Sequence, residues 1–219
     1  MSKRSQAINK LKSSTRSAAS QGPATSVSDA PPSTPATHFF PDAPAWEAWL
    51  EANFQEPVGV WLKISKKGAA QPSVSYEHAL DAALCFGWID GQTKSLDEDY
   101  FLRRFTPRRK NSLWSKRNVD KVAALTEAGR IRPAGRAEVD AARADGRWAR
   151  AYQSPSNLQL PEDFRTALDA NKQAKQFFDA LNKGQRYSFV WRIETVRRAD
   201  TRQRKIAQFV ELLKEHKTL

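Results

Sequence analysis

Cysteine occurs once in this 219-residue chain, at Cys85, so no internal disulfide and no cysteine-based metal cluster can form within it. A lone thiol is compatible with a reducing compartment. Set at helical spacing among alanine and leucine, it reads as a buried, inert group and not as a nucleophile. Histidine is nearly as scarce: His38, His78 and His216 lie far apart and none has metal-ligand spacing. No apolar run approaches the roughly 18 residues that cross a bilayer, so a soluble chain with no membrane insertion is expected. No apolar stretch follows the basic start, so no secretory signal is expected. The GxSxG, HExxH, Walker A and GxGxxG patterns are all missing. Gly87 and Gly91 flank Trp88-Ile89-Asp90, but two glycines four apart do not make a dinucleotide loop. No catalytic residue, metal or cofactor is called for, and a binding protein is favoured over an enzyme.

What is abundant is bulk and positive charge. Seven Trp and eleven Phe supply core material, and removing a polar head leaves about 180 residues, near one typical domain. The net charge is +12, unevenly spread. Residues 37–99 are acidic in balance, whereas 100–119 hold seven basic residues and no acidic one. Such a block favours anionic partners; the plainer reading is a solvated face neutralised by the acidic block beside it. Residues 1–36 are rich in Ser, Ala, Thr and Pro, carry five basic residues and one acidic, and bury too little to offset ordering entropy, so a disordered basic tail is expected. A cytoplasmic location is the first expectation. The tail also has the composition of a nuclear or mitochondrial targeting segment.

The expected fold class is α+β: a small antiparallel sheet packed with helices over residues 37–114, followed by a helical half over 115–219 that forms one compact unit with it. Folded structure is expected from Phe39. Trp46, Trp49, Leu50 and Phe54 share a helical face. Residues 58–66 alternate as a strand, with Val58, Val60, Leu62 and Ile64 on one side and Trp61 and Lys63 on the other. Ser75 is placed to cap a helix that ends at Gly87. Strands follow over 88–94 and 100–105. Beyond Ser115, helices end at Gly129, Gly146 and Gly184, one opens at Pro161, and Asp200 is placed to cap the last.

The stretch from Ala83 to Asn118 organises the chain. Large apolar groups and fixed charges alternate most densely there. Arg103, Arg104, Arg108 and Arg109 can grip a phosphate or carboxylate through forked hydrogen bonds. Ser112, Ser115 and Asn118 can donate as well, and Ser115 or Asn118 is placed to cap the next helix, whose N-terminus favours anions. Trp88 and Trp114 offer planes for stacking. Asp90 is the one acidic residue placed to orient an arginine or to act as a base. The structural alternative is that Asp90 pairs with one arginine, the tryptophans fill the core and Ser115 caps. Asp90, Arg104, Arg108, Ser112, Trp114 and Ser115 are expected to converge on one concave surface.

Three stretches together resemble the YdeI/OmpD-associated family, also labelled bacteriocin-protection proteins: Ala79–Gly91 (ALDAALCFGWIDG), Tyr100–Asn118 with its RFTPRRxxSxWSxxN pattern (Arg104 to Asn118), and Tyr187–Phe209 with RIETVRRADTRQRKI. The likeness spans about residues 39–217. It implies a role in tolerance of envelope stress and cationic peptides and names no reaction. The leading reading is therefore a non-catalytic binding protein with an anion site and a small anionic ligand, its protein partner unknown. The alternatives are an enzyme acting on a small anionic metabolite through Asp90 and the arginines, and a weak nucleic-acid-binding protein.

Overall fold

In the computed structural model, residues 34–154 and 157–219 are described. The disordered tail expected over 1–36 falls, up to residue 33, outside the described residues. Ala36 already belongs to the fold, its carbonyl accepting from the Trp61 amide at 2.8 Å.

Four strands, β1 (Thr37–His38), β2 (Val60–Ser65), β3 (Trp88–Ser95) and β4 (Tyr100–Pro107), form one sheet in the order β1-β2-β4-β3. β4 pairs antiparallel with both β2 and β3, and β1 lies parallel to β2 at the edge. Strand alternation sends Val60, Leu62, Ile64 and Phe105 into a core built against α1 (Ala43–Asn53) and α2 (Tyr76–Cys85). Both helices start where a short side chain satisfies an orphan amide: Asp42 accepts from Ala45 N at 2.9 Å, and Ser75 accepts from His78 N at 3.2 Å. α3 (Lys116–Glu127) and α4 (Pro133–Ala144) add Val119, Val122, Leu125, Val139 and Ala142 to the same core. α4 approaches the end of α2 so closely that a Cβ at Gly135 would lie 2.2 Å from the Cys85 carbonyl oxygen. The Cys85 thiol is buried, and that burial pushes its pKa up to about 11.

The helical half has a second core. α5 (Glu162–Asp169), α6 (Lys172–Ala180), α7 (Lys183–Glu194) and α8 (Ala199–Lys214) enclose Phe164, Leu168, Phe178, Phe189, Ile193, Ile206, Phe209 and Leu213. The arrangement is α+β with a helical C-terminal half. α7 is apolar on two sides, and each side has a distinct use. Phe189, Val190 and Ile193 fill this second core, while Tyr187 and Trp191 turn toward the segment that joins the halves. Tyr187 Oη donates to the Gln153 carbonyl at 3.2 Å, and Trp191 meets Tyr152 edge-on at 6.0 Å.

Local signals failed in three places. β1 is too short to alternate and is set by its neighbour's backbone. Gly184 does not end a helix: it is the second residue of α7, whose start is fixed by a capping box between Asn182 and Gln185. The last helix is entered from Arg198, and Asp200 lies in its first turn instead of at the cap.

Candidate functional site

β3 and β4 decide which charges meet. Arg104 pairs across the ladder with Trp61, on the face away from the core, while Arg103 pairs with Leu62 on the helix-covered face. In a regular strand Asp90 and Thr93, three apart, would point to opposite faces. The register of β3 shifts between them, so that Asp90 lies opposite Phe105 and Thr93 opposite Arg103. This bulge returns both side chains to the face of Arg103. Arg103 donates to Asp90 Oδ2 and to Thr93 Oγ1, and reaches Tyr76 Oη at 3.3 Å. Tyr76 Oη in turn donates to Asp90 Oδ2 at 2.8 Å. Burial, followed by the Asp90 charge, holds the Tyr76 phenol above its ordinary pKa.

Past Pro107 the chain turns inward. Arg108 N donates to the Gly87 carbonyl at 3.0 Å, and the Arg108 side chain is only 6 % exposed. Its guanidinium lies over the Trp114 ring, 3.4 Å from the centroid, and Nη1 donates to the Leu113 carbonyl at 3.3 Å. Nε and Nη2 have no acceptor among the described residues, and neither does the buried Trp114 Nε1. Burial pushes the Arg108 pKa down to about 10; the charges of Glu138, Tyr152 and Asp90 pull the other way, and Arg147 adds to the depression. Arg147, equally buried, is better satisfied: Nε meets Asp145 Oδ2 at 2.6 Å and Nη1 the Ser112 carbonyl at 2.9 Å.

Trp114 runs directly into α3. Ser115 is the N-cap, its Oγ accepting from Asn118 N at 3.2 Å, and the first turn has no acidic residue. Lys116 N donates to the Tyr152 carbonyl and Val119 N to the Ser115 carbonyl. That leaves the Arg117 amide as a donor at the positive end of a 12-residue helix.

A cavity of about 340 Å³ opens beside this helix end, lined by Tyr76, Ile89, Asp90, Arg103, Leu113, Ser115, Arg117, Asn118, Tyr152, Ser154 and Tyr187. Of the groups that act on Arg108, Leu113, Tyr152 and Asp90 all line it.

Of the ten residues singled out in the sequence, Asp90, Arg103, Ser115 and Asn118 line this cavity, and Arg108 and Trp114 stack behind its wall. The other four lie elsewhere. Trp88 is wholly buried in the core, with Nε1 donating to the Phe54 carbonyl at 2.8 Å. Arg104 is on the opposite sheet face, donating to the Val58 carbonyl. Arg109 and Ser112 form the tight turn after β4, where Ser112 Oγ accepts from Arg109 N at 3.0 Å. Tyr76, Tyr152 and Tyr187 were not singled out. The chain has four tyrosines, and three of them line the cavity; that scarcity was the one signal in the sequence.

No curated protein and no solved structure matches the chain. Two families do. Residues 38–138 match a domain of unknown function, DUF8412, and residues 157–216 match the family described as bacteriocin-protection, YdeI or OmpD-associated. Two of the three stretches that carried the resemblance, Ala79–Gly91 and Tyr100–Asn118, fall in the first match, and Tyr187–Phe209 falls in the second. The cavity draws residues from both matched segments and from the connector between them. Over residues 157–216 the chain is thus similar to the family described as bacteriocin-protection, YdeI or OmpD-associated.

Proposed function

We propose that this protein is a non-catalytic binding protein for a small anion, anchored by Arg108 behind the wall of the cavity beside the N-terminus of α3. The observation that carries this reading is the set of buried donors without acceptors: Arg108 Nε and Nη2, joined by Trp114 Nε1. Buried donors left unpaired cost free energy, and the group missing from this cluster is an acceptor. Nε and Nη2 form the side edge of the guanidinium, the fork that takes two oxygens of one carboxylate or phosphate. Stacking on Trp114 and the bond to Leu113 hold that fork in place. The N-terminus of α3, where the Arg117 amide remains a donor, adds a favourable dipole. Asp90 is already engaged twice through Oδ2, and the Cys85 thiol is buried with a raised pKa; both favour binding over chemistry.

The basic block is a poor track for nucleic acid, because its helical members are paired: Lys116 with Asp120, Arg117 with Glu77, and the neighbouring Lys121 with Glu77 and Asp81. The description of the family matched by the helical half supports a role for the occupied protein in tolerance of stress or cationic peptides. The test is thermal unfolding with inorganic phosphate and phenyl phosphate against sodium chloride at matched ionic strength. A ligand at about 100 times its Kd stabilises by about 2.7 kcal/mol, so the phosphates should raise Tm by several degrees where chloride does not. Equal shifts would refute the proposal.

A further inference from the structure

We infer that the sheet face turned away from the helices binds a short stretch of single-stranded nucleic acid. This site is independent of the cavity beside α3, which is lined by Asp90 and Arg103 of the opposite face. The ladder fixes what the outer face carries. Alternation sends Val60, Leu62 and Ile64 of β2 and Phe105 of β4 into the core, so Trp61 and Lys63 of β2 and Tyr100, Leu102 and Arg104 of β4 point the other way. Lys94 of β3 pairs across the ladder with Leu102 and joins them. Trp61 and Tyr100 belong to neither hydrophobic core, yet they are only 9 % and 8 % exposed. Cations stand over both rings. Lys94 Nζ lies 4.5 Å from the Trp61 centroid and the Arg104 guanidinium 5.7 Å, while Lys63 Nζ lies 3.8 Å from the Tyr100 centroid.

None of these three cations has a carboxylate partner among the described residues; Arg104 donates only to the Val58 carbonyl. The helical members of the basic block differ, since Lys116, Arg117 and Lys121 are each paired. Two strand spacings separate Lys63 from Lys94, roughly 10 Å, and Arg104 stands roughly 7 Å further along β4. That spread fits successive phosphates of one chain better than a single small anion. A cation on an exposed ring is a weak contact, and a base stacked on the ring is a stronger one. A strand that draws the lysines onto its phosphates therefore uncovers rings for its bases. An acidic peptide would use the cations and leave the rings idle, and a duplex keeps its bases stacked inside. An anionic membrane is opposed by Asp97, Glu98 and Asp99 in the turn between β3 and β4. The same turn bounds the site at one end and limits it to a few nucleotides.

The test is fluorescence anisotropy of the full chain with a labelled thymidine oligonucleotide of about eight nucleotides, from about 50 to 200 mM salt. The comparisons are a duplex of equal length and polyglutamate at equal charge. Three phosphate contacts give a slope of log K against log salt of about −2 for a single strand. Lys63→Gln/Lys94→Gln should bring the slope to about −0.7 and weaken binding about tenfold or more at the lowest salt. Arg109→Gln/Lys110→Gln, in the exposed turn after β4, should change neither. The oligonucleotide should also quench tryptophan emission, and polyglutamate should not. Binding of the duplex or of polyglutamate as tight as that of the single strand overturns the inference. So does a slope that survives Lys63→Gln/Lys94→Gln, a loss confined to Arg109→Gln/Lys110→Gln, or no binding at about 50 mM salt.

Discussion

Asp90→Ala strikes the centre of the hydrogen-bonded cluster on the helix-covered face of the sheet. The change removes the acceptor of two hydrogen bonds, from Tyr76 and Arg103. It leaves Arg103 with two neutral partners, Thr93 and Tyr76, on a side chain 23 % exposed. Breaking a fully buried pair by removing one partner costs roughly 3–5 kcal/mol. Water reaches Arg103 in part, so a lower figure, about 2–3 kcal/mol, applies here. For a folded unit of this size that is a fall in Tm of about 5–10 °C. The double variant Asp90→Ala/Arg103→Met removes the stranded cation too and should cost no more than about 1 kcal/mol beyond Asp90→Ala alone. Arg103→Met by itself strands Asp90 and should cost about 2 kcal/mol. Urea unfolding of the four proteins closes the cycle. A coupling energy of about 1 kcal/mol or more is expected. A cost below about 0.5 kcal/mol for Asp90→Ala, or a cycle that adds within about 0.3 kcal/mol, would refute the view that the β3 bulge exists to assemble this network.

Two further outcomes follow from packing and charge. Gly135→Ala places a Cβ 2.2 Å from the Cys85 carbonyl oxygen and 2.9 Å from that of Leu84. Both obstacles are backbone, so the strain should exceed the gain in helix propensity of about 1 kcal/mol, for a net loss of about 2 kcal/mol by thermal unfolding. Asp163 sits under Arg202 of α8, with contacts of 2.6 and 2.9 Å that hold its carboxyl below the ordinary value. A depressed carboxyl contributes stability above its unfolded pKa and loses it as pH falls through the folded one. Asp163→Asn should therefore cost about 1 kcal/mol at pH 7, the pair being half-exposed, and the difference from wild type should shrink steadily as pH falls below about 4 in a Tm series.

Short-range chemistry was legible in the sequence. Ser75 and Ser115 cap where they were read to cap, because capping needs only an oxygen and an amide two or three residues away. The alternation of Val60, Leu62 and Ile64 against Trp61 and Lys63 held because one sheet face is buried. What could not be read was register. Asp90 was expected to meet an arginine, but the choice of Arg103 over Arg108 depends on an irregularity at Gly91 and Gln92 that no local pattern announces. The same register sends Arg104 to the far face. Tyr187 approaches the site from residues beyond 180 only because α7 leans its second stripe on the connector, a tertiary fact. The stranding of Arg108 likewise emerged only once Asp90 was seen to be taken.

The central claim is that Arg108 is kept for a ligand and not for stability, and Arg108→Met separates the two most directly. Methionine follows the arginine stem as far as Nε, keeps an apolar side chain beside Trp114 and needs no acceptor. Replacing a buried, under-satisfied charge with an apolar side chain is often neutral or stabilising by about 1–4 kcal/mol. The account predicts a variant at least as stable as wild type in urea, whose Tm no longer rises with phenyl phosphate. A variant destabilised by about 3 kcal/mol, or one that still responds fully to the anion, would contradict it.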